Sequence, residues 1–246
     1  MKKNSKVIII FMIIVLLSSC LKKENSNEFF AWMDAYIAID KGTENAIAIT
    51  LFYEKEPFNK EDIAHIKFID INKEVEIKSF NVESSNQLNK RYSSYGITLN
   101  YIANKTGIYE TSGVEITFKS NKSIEYPVGD WKFDISEKSA DVIDSWNSPV
   151  ASTNSEKFLY DYKIIEPDAK IERIYYGEDL YVEDNISNQG LINIDNYDSP
   201  IVYVKSKIIT SINGSEKIDY GKGCYCGAIG FSEDTLNLSK EHNNIK

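Results

Sequence analysis

Val114-Glu115-Ile116-Thr117-Phe118-Lys119 alternates strictly between apolar and polar side chains. Successive side chains of a β-strand point to opposite faces. Val114, Ile116 and Phe118 therefore share one side and Glu115, Thr117 and Lys119 the other, as in a strand with one dry and one wet face. Trp131-Lys132-Phe133-Asp134-Ile135-Ser136 and Glu74-Val75-Glu76-Ile77-Lys78 repeat the pattern. Half-buried antiparallel strands account for it.

Working outward, runs of this kind at 35–39, 46–53, 66–71, 75–82, 95–103, 114–118 and 130–135 predict a series of short strands. Turn signals separate them: Lys41-Gly42-Thr43, Asn72-Lys73, Ser84-Ser85-Asn86, Lys105-Thr106-Gly107 and Ser120-Asn121-Lys122. Strands at that spacing over about 100 residues predict a β-sandwich. Thr106-Gly107-Ile108-Tyr109 resembles the start of a late strand in immunoglobulin-like sandwiches, where a tyrosine hydroxyl bonds back to the preceding loop. The resemblance is to the wider immunoglobulin-like class, because the cysteine pair of antibody domains is missing.

The alternation stops after Glu137. Ala140, Ile143 and Trp146 fall at helical spacing, and Asn147-Ser148-Pro149 would end such a helix, so residues 138–154 read as a linker with a short helix. A second β-rich region follows, with runs at 158–165, 171–176, 180–183, 191–194, 201–212, 217–220 and 224–231. Asn213-Gly214 fills a two-residue hairpin turn and should fold 202–212 back on 216–220. The fold expected is all-β: two β-sandwich, immunoglobulin-like domains in tandem, at 31–137 and 155–236, with a polar, frayed tail over 237–246.

The N-terminus decides location. Three lysines within Met1 to Lys6 precede Val7 to Leu17, which lack any polar side chain. Eleven apolar residues make a helix of about 16 Å, half of what a spanning helix needs, so the stretch is expected to be a secretion signal. Leu17-Ser18-Ser19-Cys20 resembles the lipobox of bacterial lipoproteins. That resemblance implies cleavage after residue 19, a diacylglyceryl group on Cys20, and a body held by lipid at the extracytoplasmic face of the cell membrane. Residues 20–30 then form the lipidated cysteine and its polar tether.

Composition narrows the function. The chain carries 28 basic and 37 acidic side chains, a formal charge of −9, and losing the leader lysines makes the body more acidic still. Such a surface is repelled by phosphate backbones and anionic headgroups, so nucleic acid is excluded as a partner and the lipid must anchor alone. The bias toward Lys, Asn and Ile points to an AT-rich, Gram-positive genome. Catalytic signatures are missing: there is no Gly-x-Ser-x-Gly, His-Glu-x-x-His or phosphate-cradling glycine loop. The two histidines, His65 beside Lys67 and His242 in the tail, have no Ser, Cys or metal-ligand neighbour at a fixed offset.

Three weaker features remain. Glu183-Asp184-Asn185 and Asp195-Asn196-Tyr197-Asp198 are rich in oxygen, but lack the order of a calcium loop and read first as Asx turns. Tyr175, Tyr176, Tyr181, Tyr197 and Tyr203 would form a recognition surface only if they clustered on one exposed face; otherwise they are strand residues. Cys224 and Cys226 stand two apart among glycines. In a strand they share a face with Cα atoms about 6.5 to 7 Å apart, at the limit for a disulfide. Reduced structural thiols, a strained disulfide and a soft-metal pair all stay open.

With no cofactor motif and no catalytic set, the expected function is non-enzymatic. The chain reads as a lipid-anchored surface module that binds a protein, peptide or cell-envelope ligand. The alternative is an extracytoplasmic thiol redox or metal-handling protein working through Cys224 and Cys226.

Overall fold

The computed structural model describes residues 28–54, 58–83, 86–138, 140–184, 186–229 and 232–245. Cys20, the signal segment and the tether up to residue 27 lie outside them, as does Asn185.

Among the described residues the first half contains nine strands: β1 (Glu28–Phe30), β2 (Met33–Asp40), β3 (Glu44–Tyr53), β4 (Ile63–Phe68), β5 (Val75–Val82), β6 (Asn86–Gln87), β7 (Ser93–Ala103), β8 (Gly107–Phe118) and β9 (Ser123–Ser136). One sheet runs β1-β3-β7-β5, with β6 also on β7; facing it, four strands run β2-β9-β8-β4. The chain crosses between sheets within its first two strands, and β2 then lies parallel to β9, the last strand of this half. This is the strand order of an immunoglobulin-like sandwich. The expected tyrosine contact is present: the Tyr109 hydroxyl donates to the Thr106 carbonyl at 2.9 Å.

The alternation quoted first works as expected. Val114 and Ile116 are fully buried while Glu115 and Thr117 are not. Their strand is longer than 114–118, because a bulge between Thr111 and Gly113 interrupts the pairing without ending it. A Cβ on Gly113 would lie 2.5 Å from the Tyr126 carbonyl oxygen, so the bulge needs glycine.

The second half supplies β10 (Ile143–Asp144), β11 (Ala151–Ser152), β12 (Lys157–Asp161), β13 (Lys163–Ile164), β14 (Ala169–Tyr175), β15 (Tyr181–Val182), β16 (Gln189–Asn193), β17 (Ile201–Lys205), β18 (Lys207–Ile212), β19 (Ser215–Tyr220) and β20 (Cys224–Gly227). The Asn213-Gly214 hairpin forms with both residues at positive φ and joins β18 to β19. The long run over 201–212 is broken, however, at fully buried Ser206, whose Oγ lies 2.7 Å from the Tyr162 hydroxyl. Before the break β17 pairs with β2; after it β18 pairs with β14 and β19.

Two expectations are corrected. The short helix between 138 and 154 is absent among the described residues: β10 and β11 occupy that span, and buried Asp219 takes the Val142 and Ile143 N–H groups at 2.7 and 2.8 Å. The frayed tail is a helix, α1 (Glu233–His242), capped by Ser232, whose side chain accepts the Thr235 N–H. It docks on the first half through buried Leu236 and through Ser239 Oγ, which accepts the Trp32 N–H at 3.2 Å.

Candidate functional site

β17 and β20 extend the first half's second sheet, giving the order β11-β20-β17-β2-β9-β8-β4. Their alternation serves two cores. Ile201 and Tyr203 pack into the first half's core, while Val202 and Val204 belong to the second half's. On β20, Cys224 and Cys226 face the second core and Tyr225, between them, packs against the first. The apolar run Ile201 to Val204 is thus a wall shared by two cores, the arrangement of a strand buried on both faces.

Cys224 and Cys226 are free thiols with no exposed surface, their Sγ atoms 3.9 Å apart. The contact between them, and burial after it, pushes the Cys226 thiol up, so the pair does not carry two thiolates. Gly223 permits the close approach of Tyr203, whose hydroxyl would lie 1.9 Å from an added Cβ.

Where the shared wall meets β3 there is an apolar cleft of about 380 Å³. Met33, Ile49, Ile201, Tyr225 and Ile229 line it, with Ala48 and Ala151 at its sides. β1 covers the edge of β3 only from Leu51 to Tyr53, and the Ala31 N–H donates to the Thr50 carbonyl. At Ala48 the cover is a side chain: the Tyr225 hydroxyl accepts the Ala48 N–H at 2.7 Å and donates to its carbonyl at 3.3 Å. An apolar hollow beside a strand edge with fixed polar groups is suited to an extended, largely apolar ligand.

A second, polar cleft of about 330 Å³ lies on the other side of β2, among Asp34, Asp130, Lys132, Glu178 and Tyr197. Asp34 is raised from 3.8 to about 6, by burial first and by the Asp130 carboxylate, against the Asp130 N–H that it accepts at 3.0 Å and the pull of His242 and Trp32. Lys132 is tied to Glu110 at 2.8 Å and to Glu178. Beneath, Tyr36 donates to Asp134 at 2.7 Å and Lys207 pairs with the same carboxylate, closing a buried network. These are linked polar residues with no nucleophile and base in contact.

The remaining sequence candidates disperse. His65 is exposed on β4, opposite Thr117. His242 stacks on Trp32 with ring centres 5.5 Å apart, a contact that the separation of the two residues in sequence hid. Tyr175 packs on Tyr181 at 5.1 Å, the Tyr197 hydroxyl donates to the Tyr176 carbonyl, and Tyr203 packs on Tyr225, so the five tyrosines form no single exposed face. Asp195 accepts from Asn193 at 3.0 Å, and among the described residues no three His, Cys, Asp or Glu side chains are placed to hold a metal ion.

No family model and no curated protein matches the chain. Among solved structures it is similar to an ICAM-5 D1-D4 ectodomain fragment (10% identity over 84% of this chain and 48% of that one, TM-score 0.25). It is also similar to fibronectin(III)-like modules of Clostridium thermocellum CbhA (13%, 81% and 91%, TM-score 0.21). A third is Bacteroides ovatus SGBP-B, solved with a mixed-linkage heptasaccharide (9%, 84% and 62%, TM-score 0.22). The chain spans about half the length of the ICAM-5 fragment. Scores of this size carry no functional inference; the immunoglobulin-like assignment rests on the strand order and on Tyr109.

Proposed function

We propose that this chain is a non-enzymatic, lipid-anchored binding protein of the bacterial surface, held by an acylated Cys20, which takes an extended peptide, protein segment or envelope ligand in the cleft beside Tyr225. The observation that carries the reading is the cleft itself: an apolar hollow between the two halves, walled by Met33, Ile201 and Ile229 and edged by β3. The lipid anchor rests on Leu17-Ser18-Ser19-Cys20. Two acyl chains give stable attachment where one is marginal. The thiol alternative would have to work through two side chains sealed from solvent.

Each part has its own test. Cys20→Ser should abolish incorporation of labelled fatty acid and release the protein from the membrane; continued incorporation removes the anchor. Ala48→Trp and Ala151→Trp, which fill the cleft from either side, should abolish the fluorescence enhancement of an environment-sensitive apolar dye. Unchanged enhancement in both variants shows that the cleft is not an apolar binding site.

A further inference from the structure

Trp146 is 79% exposed, more than any other large apolar side chain among the described residues, yet its backbone is held on every side. The Asp144 carboxylate accepts the Trp146 N–H at 2.9 Å, the Ser145 carbonyl accepts the Ser148 N–H at 3.0 Å, and Lys222 Nζ donates to the Trp146 carbonyl at 3.1 Å. The same Nζ lies 5.0 Å from the centre of the indole, over one face, a cation–π contact that orients the ring. The other face is left to solvent. A single apolar side chain on a surface needs no explanation, but this one has neighbours.

Ser148 ties the Trp146 loop to the end of β12: its Oγ donates to the Asp161 carbonyl at 2.9 Å and accepts the Asp161 N–H at 3.0 Å. The Tyr162 N–H donates to the Asn188 carbonyl at 2.7 Å, which adds the segment leading into β16. These three segments enclose an open groove of about 530 Å³. Asn147, Asp161, Lys163, Asn188 and Gln189 line it, and none of their side chains has a hydrogen-bond partner among the described residues. The pairing of β12 with β16 continues the strip. Asp161 stands opposite Gln189, and two residues along, on the same face, exposed Leu159 stands opposite exposed Leu191.

The lining selects a ligand chemistry. Carboxamides donate and accept, as hydroxyls do, and the charges of Asp161 and Lys163 oppose one another, so the groove suits closely spaced neutral polar groups. The free indole face, and the leucine pair beyond Gln189, add apolar surface for a ligand whose flat faces carry C–H groups directed at the electron-rich side of an aromatic ring. A polyanion would need a basic stripe instead of one lysine opposed by an aspartate. We propose that this strip is a binding site for a neutral saccharide chain, with Trp146 as its stacking platform and with Asn147, Asp161 and Gln189 bonding its hydroxyls. It shares no lining residue with the cleft beside Tyr225, so the two readings stand or fall separately.

The test is native electrophoresis of the folded protein through gels that carry dextran, mannan, a soluble β-1,3-glucan or glycol chitin in turn. At least one of the four should retard the chain. The dissociation constant read from the dependence on polysaccharide concentration should rise about tenfold or more in Trp146→Ala, the usual weight of an aromatic anchor, and should also rise in Gln189→Ala. Ala48→Trp, which fills the other cleft, should leave it unchanged. Because the Trp146 ring is exposed, its removal should not move the thermal unfolding midpoint, which checks that lost retardation is lost binding. Retardation by none of the four, or equal retardation of Trp146→Ala, overturns the proposal. Capture of an envelope protein that depends on Trp146, with no polysaccharide retarding the chain, also overturns it and assigns the strip to a protein partner.

Discussion

The hydroxyl of Tyr225 on β20 sits between the N–H and the C=O of Ala48 on β3, 2.7 and 3.3 Å away, so one phenol completes a strand edge in the opposite sheet. Tyr225→Phe keeps the ring against Tyr203 and removes that partner for both backbone groups. The expected cost is about 1 kcal/mol, the net value of a hydrogen bond whose backbone partners regain access to water. Urea unfolding checks it, and an unmoved midpoint would mean that water replaces the hydroxyl fully.

Tyr109 offers a parallel case at a strand start. Its hydroxyl holds the Thr106 carbonyl, and Gly107 beside it lies at φ 136°, with the Tyr109 hydroxyl 3.0 Å from where a Cβ would stand. Tyr109→Phe should lose about 1 kcal/mol by the same measurement. Gly107→Ala should be worse, since it adds backbone strain to the steric contact.

Asp34 makes stability depend on pH. Its carboxyl is raised from 3.8 to about 6, so between those values the folded chain binds a proton that the unfolded chain has released. Its contribution is therefore fully present below about pH 3.8 and is lost as the pH rises through about 6. Asp34→Asn should flatten the unfolding midpoint across that interval relative to the natural chain. A variant that follows the natural pH profile would exclude Asp34 as its source.

Cys224 and Cys226 are sealed inside the second core. A thiol reagent should react with them only as fast as the protein unfolds, and both should titrate in denaturant. Cys226→Ser places a hydroxyl among Val202, Val204 and Phe158 and should cost about 1–3 kcal/mol. Rapid labelling of the folded protein would contradict the burial.

How much of this was legible in sequence depended on whether a residue's partner was local. Val114 to Phe118 announced its strand because alternation is a local property, and Asn213-Gly214 its hairpin because the turn residues carry their own backbone preference. The break at Ser206 was marked only by the polar Lys205-Ser206-Lys207 step inside an otherwise apolar run, and such a step does not say that the strand changes partners; pairing with β2 on one side and β14 on the other does. The Cys224-Tyr225-Cys226 stretch looked like chemistry because its two neighbouring cores are assembled from residues far along the chain. The cleft was hidden for the same reason, since Met33, Ala48, Ala151 and Tyr225 meet only in three dimensions.

The C-terminal helix was missed because its sequence, Glu233 to His242, is polar apart from two leucines. Its stability comes from contact. Leu236 is 2% exposed within the first core, Asn243 Nδ2 donates to the Phe30 carbonyl at 3.2 Å, and Lys240 lies over the Tyr92 ring at 4.0 Å. A ten-residue helix is marginal alone in water, so α1 should fold only together with the sandwich it covers. Leu236→Ala removes its buried anchor and should cost about 2–3 kcal/mol. Hydrogen exchange across 233–242 should accelerate more than exchange in β7 or β9. Equal acceleration in all three would show that the helix unfolds only with the whole domain, and that its docking is part of the global transition rather than a separate event.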